Sequence, residues 1–228
     1  MQRFSLTALG MVNALGTNLS DISAGVFNAD TTRLNPLVLR TTGAMVSVGR
    51  VPDPLPDLPA GFEAFQCRNH RLAYVAFRQI ADEVTVLRDT FSPDRIGVVI
   101  GSSTSGLDVS EEAFFHWQAT GTLPGYYRYD TQHEMGSIAQ FIAHLGGLHG
   151  PAYTVSTACS ASAKAFASAW EAGRTGKIAN ETTRRWLDLE AKRQVVRAAI
   201  SARVGYQKPH PAIFRHALDL MSAVPEDA

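Results

Sequence analysis

The chain has 228 residues, 45% of them apolar, enough to bury a core of ordinary domain size. Lysine plus arginine and aspartate plus glutamate each number 21, so the charge balance offers no attraction to nucleic acid or to an anionic membrane surface. Two distant cysteines, Cys67 and Cys159, without metal-type spacing, suggest neither a disulfide framework nor a zinc site and fit a reducing cytoplasm. The start, Met1-Gln2-Arg3-Phe4-Ser5, has no apolar signal core, and no later run approaches the ~20 apolar residues of a membrane span.

Phe4 to Val12 reads as a strand leaving through Gly10, and the turn-rich Asn13-Ala14-Leu15-Gly16-Thr17-Asn18 leads to a short helix over Asp21 to Phe27. Pro52, Pro54, Pro56 and Pro59 deny regular hydrogen bonding and predict an extended surface loop. Leu72, Val75, Ala76, Ile80, Val84 and Leu87 then recur at helical spacing, predicting one amphipathic helix with Arg68, Arg71, Arg78 and Asp82 more exposed. After Ser92-Pro93-Asp94, the run Ile96-Gly97-Val98-Val99-Ile100 lacks polar alternation and suits a strand buried on both faces. It ends in Gly101-Ser102-Ser103-Thr104-Ser105-Gly106. A helix over Ser110 to Gln118, a loop over Gly121 to Tyr129 and a helix over Met135 to Leu145 follow, the last closed by Gly146-Gly147. Ala152 to Val155 is a further strand, and small residues run from Ser156 to Ala169. Strands alternating with helices define an α/β protein without internal repeats.

Composition alone would make Cys159 a small apolar core residue. Its setting argues otherwise: a strand ends just before it and an alanine-rich helix starts at it. Unpaired N–H groups and the positive end of a helix dipole favour thiolate over thiol there. The neighbouring Ala158, Ser160, Ala161, Ser162 and Ala163 let a long ligand or another backbone approach closely.

Thr157-Ala158-Cys159-Ser160-Ala161-Ser162-Ala163 resembles the active-site cysteine motif of β-ketoacyl-acyl-carrier-protein synthases, enzymes of the thiolase fold. Three more segments resemble that family in the same order: Thr7 to Gly16 its opening strand and loop, Arg68 to Ala73 its first long helix, and Gly97 to Gly106 its strand and glycine-serine loop. The resemblance implies a layered α-β-α-β-α fold of which this chain holds the N-terminal half. It further implies that Cys159 accepts an acyl group from an acyl carrier protein's pantetheine thioester, for condensation with a malonyl unit in fatty acid or polyketide-type synthesis. It implies no metal and no cofactor. It also implies pairing, as a homodimer or with a related synthase, through the strand near residues 152 to 156; a non-catalytic pairing fragment is the alternative. Cys67 is expected to be structural.

In the family, condensation also uses two histidines and a lysine in glycine-rich motifs after the cysteine. His70, His116, His133, His144, His149, His210 and His216 do not stand in such motifs, so decarboxylative condensation is not expected of this chain. Past Trp170-Glu171-Ala172-Gly173 the sequence turns polar, and the division expected is a synthase domain over 1–178 and an unrelated, mostly helical tail over 179–228. In that tail, Val204 to Phe214 followed by Ala217-Leu218 resembles the lysine motif of haloacid dehalogenase-like hydrolases, which implies a phosphoryl-neutralising role for Lys208. The aspartate motifs of that family have no match here, so Lys208 is expected to be a solvated lysine before a turn made by Pro209 and Pro211.

Overall fold

The computed structural model describes residues 7–39, 42–51 and 54–174. Its first regular element is α1, Leu19–Phe27, capped by Asn18, whose side chain accepts from the Asp21 N–H at 2.9 Å. The strand expected from Phe4 does not form over residues 7–12; Phe4 to Leu6 lie outside the described residues. Side-chain capture replaces strand pairing there. Gln79 Oε1 accepts from the Met11 N–H at 3.1 Å, and its amide nitrogen donates to Met11 O and Thr17 O at 2.9 and 3.0 Å. Gly10 lies so close to the helix Arg68–Arg78 that an added Cβ would sit 2.2 Å from Ala76 O.

An antiparallel hairpin follows, β1 (Leu34–Val38) and β2 (Met45–Gly49), with Leu34 opposite Gly49 and Val38 opposite Met45. The sequence gives little sign of it. β1 is exposed along its whole length and contains Pro36, so it carries no inward-outward alternation.

The single long helix expected over 68–87 is two helices, α2 (Arg68–Arg78) and α3 (Ala81–Phe91). The break falls at Ile80, with φ −122° and ψ 11°, after the tightened closing bonds Gln79 N–H to Ala76 O and Ile80 N–H to Phe77 O. The periodicity survives the break because both helices bury one face in the same core, through Phe77 on one side and Val84 and Leu87 on the other.

The expected strands at 96–100 and 152–155 are present as β3 (Val98–Gly101) and β4 (Ala152–Val155), paired in parallel with Val98 beside Ala152 and Gly101 beside Val155. β3 is the buried strand, Ile100 being fully enclosed, whereas β4 is half-buried throughout. Between them lie α4 (Leu107–Thr120), a π-helical turn over Tyr129–His133 and α5 (Ser137–Gly146). Gly121 ends α4 in the left-handed region at φ +76°, as a C-terminal glycine commonly does. α6 (Ala161–Arg174) closes the described chain. Phe141 and Ile138 on α5, with Ile100 on β3, form the centre of the core between these layers.

Candidate active site

Parallel pairing sets the carboxyl ends of β3 and β4 side by side, the usual place for ligands in parallel α/β sheets. The ladder continues one residue past the strands, Ser102 N–H donating to Val155 O at 3.2 Å. The loops 101–106 and 156–160 therefore leave the sheet together. The start of α6 is pressed onto the first of them: a Cβ on Gly101 would lie 2.7 Å from the backbone of Ala161 and Ser162.

Cys159 occupies a 3₁₀ turn, Ala158–Ser160, between β4 and α6. Ala158 adopts φ +49°, a left-handed conformation that costs a non-glycine residue roughly 1–2 kcal/mol. The result is a sharp strand-to-helix elbow with Cys159 exposed at its tip. Local hydrogen bonds hold the elbow. The Ser160 N–H donates to Thr157 O at 3.2 Å, the Ser160 hydroxyl lies 2.9 Å from the same oxygen, and the Ser103 hydroxyl donates to Ala158 O at 3.1 Å. Sequence patterns do not reveal the Ser103 contact or the backbone of Ala158.

The glycine-serine loop is anchored on its far side as well. Buried Ser105, at φ +47°, donates to Glu134 O at 3.0 Å, and a Cβ on Gly106 would sit 2.1 Å from Gln132 O. Beside it, Ser110 Oγ and His133 Nδ1 lie 2.5 Å apart, tying α4 to the π-helical turn. The loop is thus fixed between this turn and the elbow.

Cys67 belongs to a different environment. It is the N-cap residue of α2 and is buried, with Sγ 2.6 Å from His70 Nδ1. Burial pushes its thiol up to about 12, against a smaller opposing effect of the hydrogen bond at His70. His70 is enclosed too, its ring edge-on to Phe141 at 5.1 Å and its Nε2 3.4 Å from Ser137 Oγ. Desolvation brings its pKa down to about 4, so it is neutral at physiological pH. Of the other histidines, His116 contacts Thr122 O at 2.9 Å and His149 faces Asp94 at 3.5 Å. Lys208, His210 and His216, with the tail expected over 179–228, lie outside the described residues. Among the described residues no group of three or more acidic, histidine or cysteine side chains gathers to hold a metal ion, and no helix is long and apolar enough to cross a membrane.

An exposed cysteine on a strand-to-helix elbow, at the joined ends of parallel strands layered between helices, defines a thiolase-like ketosynthase fold. The family described as β-ketoacyl synthase, N-terminal domain, matches residues 64–179, just over half of the chain, and the chain belongs to that family. It is similar to the ketosynthase ApeO, solved in complex with its chain length factor ApeC from Xenorhabdus doucetiae, with 30% identity over 75% of this chain and 44% of that one and a TM-score of 0.69. It shares its fold with a β-ketoacyl synthase from Burkholderia phymatum, at 21% identity over 78% of this chain and 45% of that one, TM-score 0.55. The same holds for AntDE:AntF, a type II polyketide synthase acyl-carrier protein in complex with its ketosynthase bound to the hexaketide, at 17% identity over 78% of this chain and 48% of that one, TM-score 0.56. The chain spans less than half the length of these structures. No curated protein matches it.

Proposed function

We propose that Cys159 is an acyl acceptor, taking an acyl group from the pantetheine thioester of an acyl carrier protein. The observation that carries this reading is the exposed position of Cys159 on a strained elbow where two anchored loops meet. A thiol at that point is open to a long thioester, and the small side chains around it leave room for the pantetheine arm. The thiolate attacks the thioester carbonyl carbon, the carbonyl oxygen takes the negative charge, and collapse expels the carrier's thiolate. The family resemblance makes the Cys159 backbone N–H one donor to that oxyanion; such a donor is typically worth ~3 kcal/mol.

Condensation with a malonyl unit is the step this chain is not expected to complete. It needs carbanion and oxyanion stabilisation by histidines whose motifs have no match in these residues, and a positioned acid or base contributes ~100-fold or more. Intact-protein mass spectrometry with an acyl carrier thioester tests both parts. The expected result is one acyl mass on the chain and no Cys159-dependent ketoacyl product when malonyl carrier protein is added. An unmodified chain contradicts the first part, and a ketoacyl product contradicts the second.

Pairing with a second thiolase-fold chain, of this kind or a related synthase, is favoured by a separate observation. β4 is half-exposed along its length, and α4 presents Phe114, Phe115 and Trp117 to solvent. Contiguous apolar surface and open strand edges are what an interface covers. The ApeO structure contains a chain length factor as its partner. Light scattering should find a dimer or larger species; a monomer that binds no hydrophobic dye would contradict the pairing.

A further inference from the structure

We propose that Ser103 is a positioning residue for acyl transfer at Cys159, acting on the peptide unit that joins Ala158 to Cys159; this rests on the acyl-acceptor reading above. The Ser103 hydroxyl donates to Ala158 O at 3.1 Å. In a planar trans peptide the C=O and the following N–H point in opposite directions. A hydroxyl that holds the Ala158 carbonyl therefore also sets the direction of the Cys159 N–H. It strengthens that N–H as a donor as well, because a hydrogen bond at the carbonyl end polarises the whole amide.

The tie is needed because the unit follows Ala158 at φ +49°, a conformation alanine leaves readily when nothing holds it. Ser103 can hold it because its own loop is fixed at both ends. Ser102 N–H is bound to Val155 O on one side, and Ser105 Oγ to Glu134 O on the other.

The chemistry separates this role from a merely structural one. In acyl transfer the Cys159 sulfur forms a bond to the thioester carbon while the carbonyl π pair moves onto oxygen, opposite the Cys159 N–H. Collapse restores the C=O bond and breaks the carbon–sulfur bond to the carrier, whose thiolate recovers through water the proton that Cys159 gave up. Alkylation by iodoacetamide instead displaces iodide from a saturated carbon and generates no oxyanion. Ser103 thus assists the first reaction and not the second.

The test uses the full chain as wild type, Ser103→Ala and Ser103→Thr, following acylation of Cys159 by an acyl carrier thioester, its alkylation by iodoacetamide, and amide exchange in peptide 156–162. For Ser103→Ala we expect acylation about 10- to 100-fold slower, the scale of a misplaced reacting group. Alkylation should stay within about twofold, exchange in 156–162 should be faster, and Ser103→Thr, which keeps the hydroxyl, should restore both. Unchanged acylation in Ser103→Ala overturns the proposal, as does a parallel fall in both rates that threonine does not repair. If the wild type accepts no acyl group, the acyl-acceptor reading fails while the tie is still judged by exchange. Unchanged exchange in Ser103→Ala then overturns the tie, and faster exchange confined to 156–162 and reversed by threonine upholds it.

Discussion

The two cysteines each lie shortly before a helix, yet in opposite physical environments. Cys67 is the N-cap of α2, and Cys159 sits in the turn that leads into α6. If proximity to a helix start decided thiol reactivity, both would be activated. Cys67 is instead pushed up to about 12, because the loss of water around its sulfur outweighs the hydrogen bond from the helix start. Cys159 differs in its backbone setting: the left-handed Ala158 precedes it at the elbow, and the thiol is exposed. Burial, decided by packing, separates a core cysteine from a candidate nucleophile more strongly than a helix terminus does.

Labelling is the sharpest way to break this comparison. With a thiolate population lowered by several powers of ten and no solvent access, native Cys67 should react with iodoacetamide at least about 100-fold more slowly than Cys159 at neutral pH. Peptide mapping of the alkylated chain measures the ratio, and denaturant should abolish it. Comparable native rates would contradict the assignment of the two environments.

Core truncation should separate the regions by stability. Phe141 is fully enclosed and packs against Phe62, Phe65 and His70, so Phe141→Ala should cost about 3–5 kcal/mol, seen as a lower denaturation midpoint. It should also speed labelling of Cys67 more than that of Cys159.

Acid should act on the same side of the molecule. His70 has its pKa lowered from 6.5 to about 4 in the fold, so the unfolded chain binds the extra proton between these values. Its contribution is fully present above pH 6.5, is lost as pH falls toward 4 and amounts to about 3 kcal/mol. Urea midpoints across that range should fall for the wild type and fall less for His70→Phe. By contrast, Cys159→Ala removes an exposed side chain and should change stability by no more than about 0.5 kcal/mol.

Much of the frame was legible in the sequence because it rests on local patterns. The unbroken apolar run at 96–100 marked the buried strand β3, and small residues after Val155 marked the junction where Cys159 lies. The break at Ile80 was not legible, since the apolar period runs through it while the backbone departs from helical geometry. The hairpin of β1 and β2 was missed because β1 faces solvent along its whole length and β2 alternates only between exposed and half-buried positions. At the site, the cysteine was visible but its support was not. Nothing in an alanine announces φ +49°, and the Ser103 bond to Ala158 joins segments that only the parallel register brings together.

Acylation of single-cysteine variants decides whether Cys159 is the acyl acceptor. Wild type, Cys159→Ala and Cys67→Ala chains would each be incubated with an acyl carrier thioester and weighed intact. One acyl group is expected on the wild type and on Cys67→Ala, and none on Cys159→Ala. Acyl mass retained by Cys159→Ala, or lost from a folded Cys67→Ala, would contradict it.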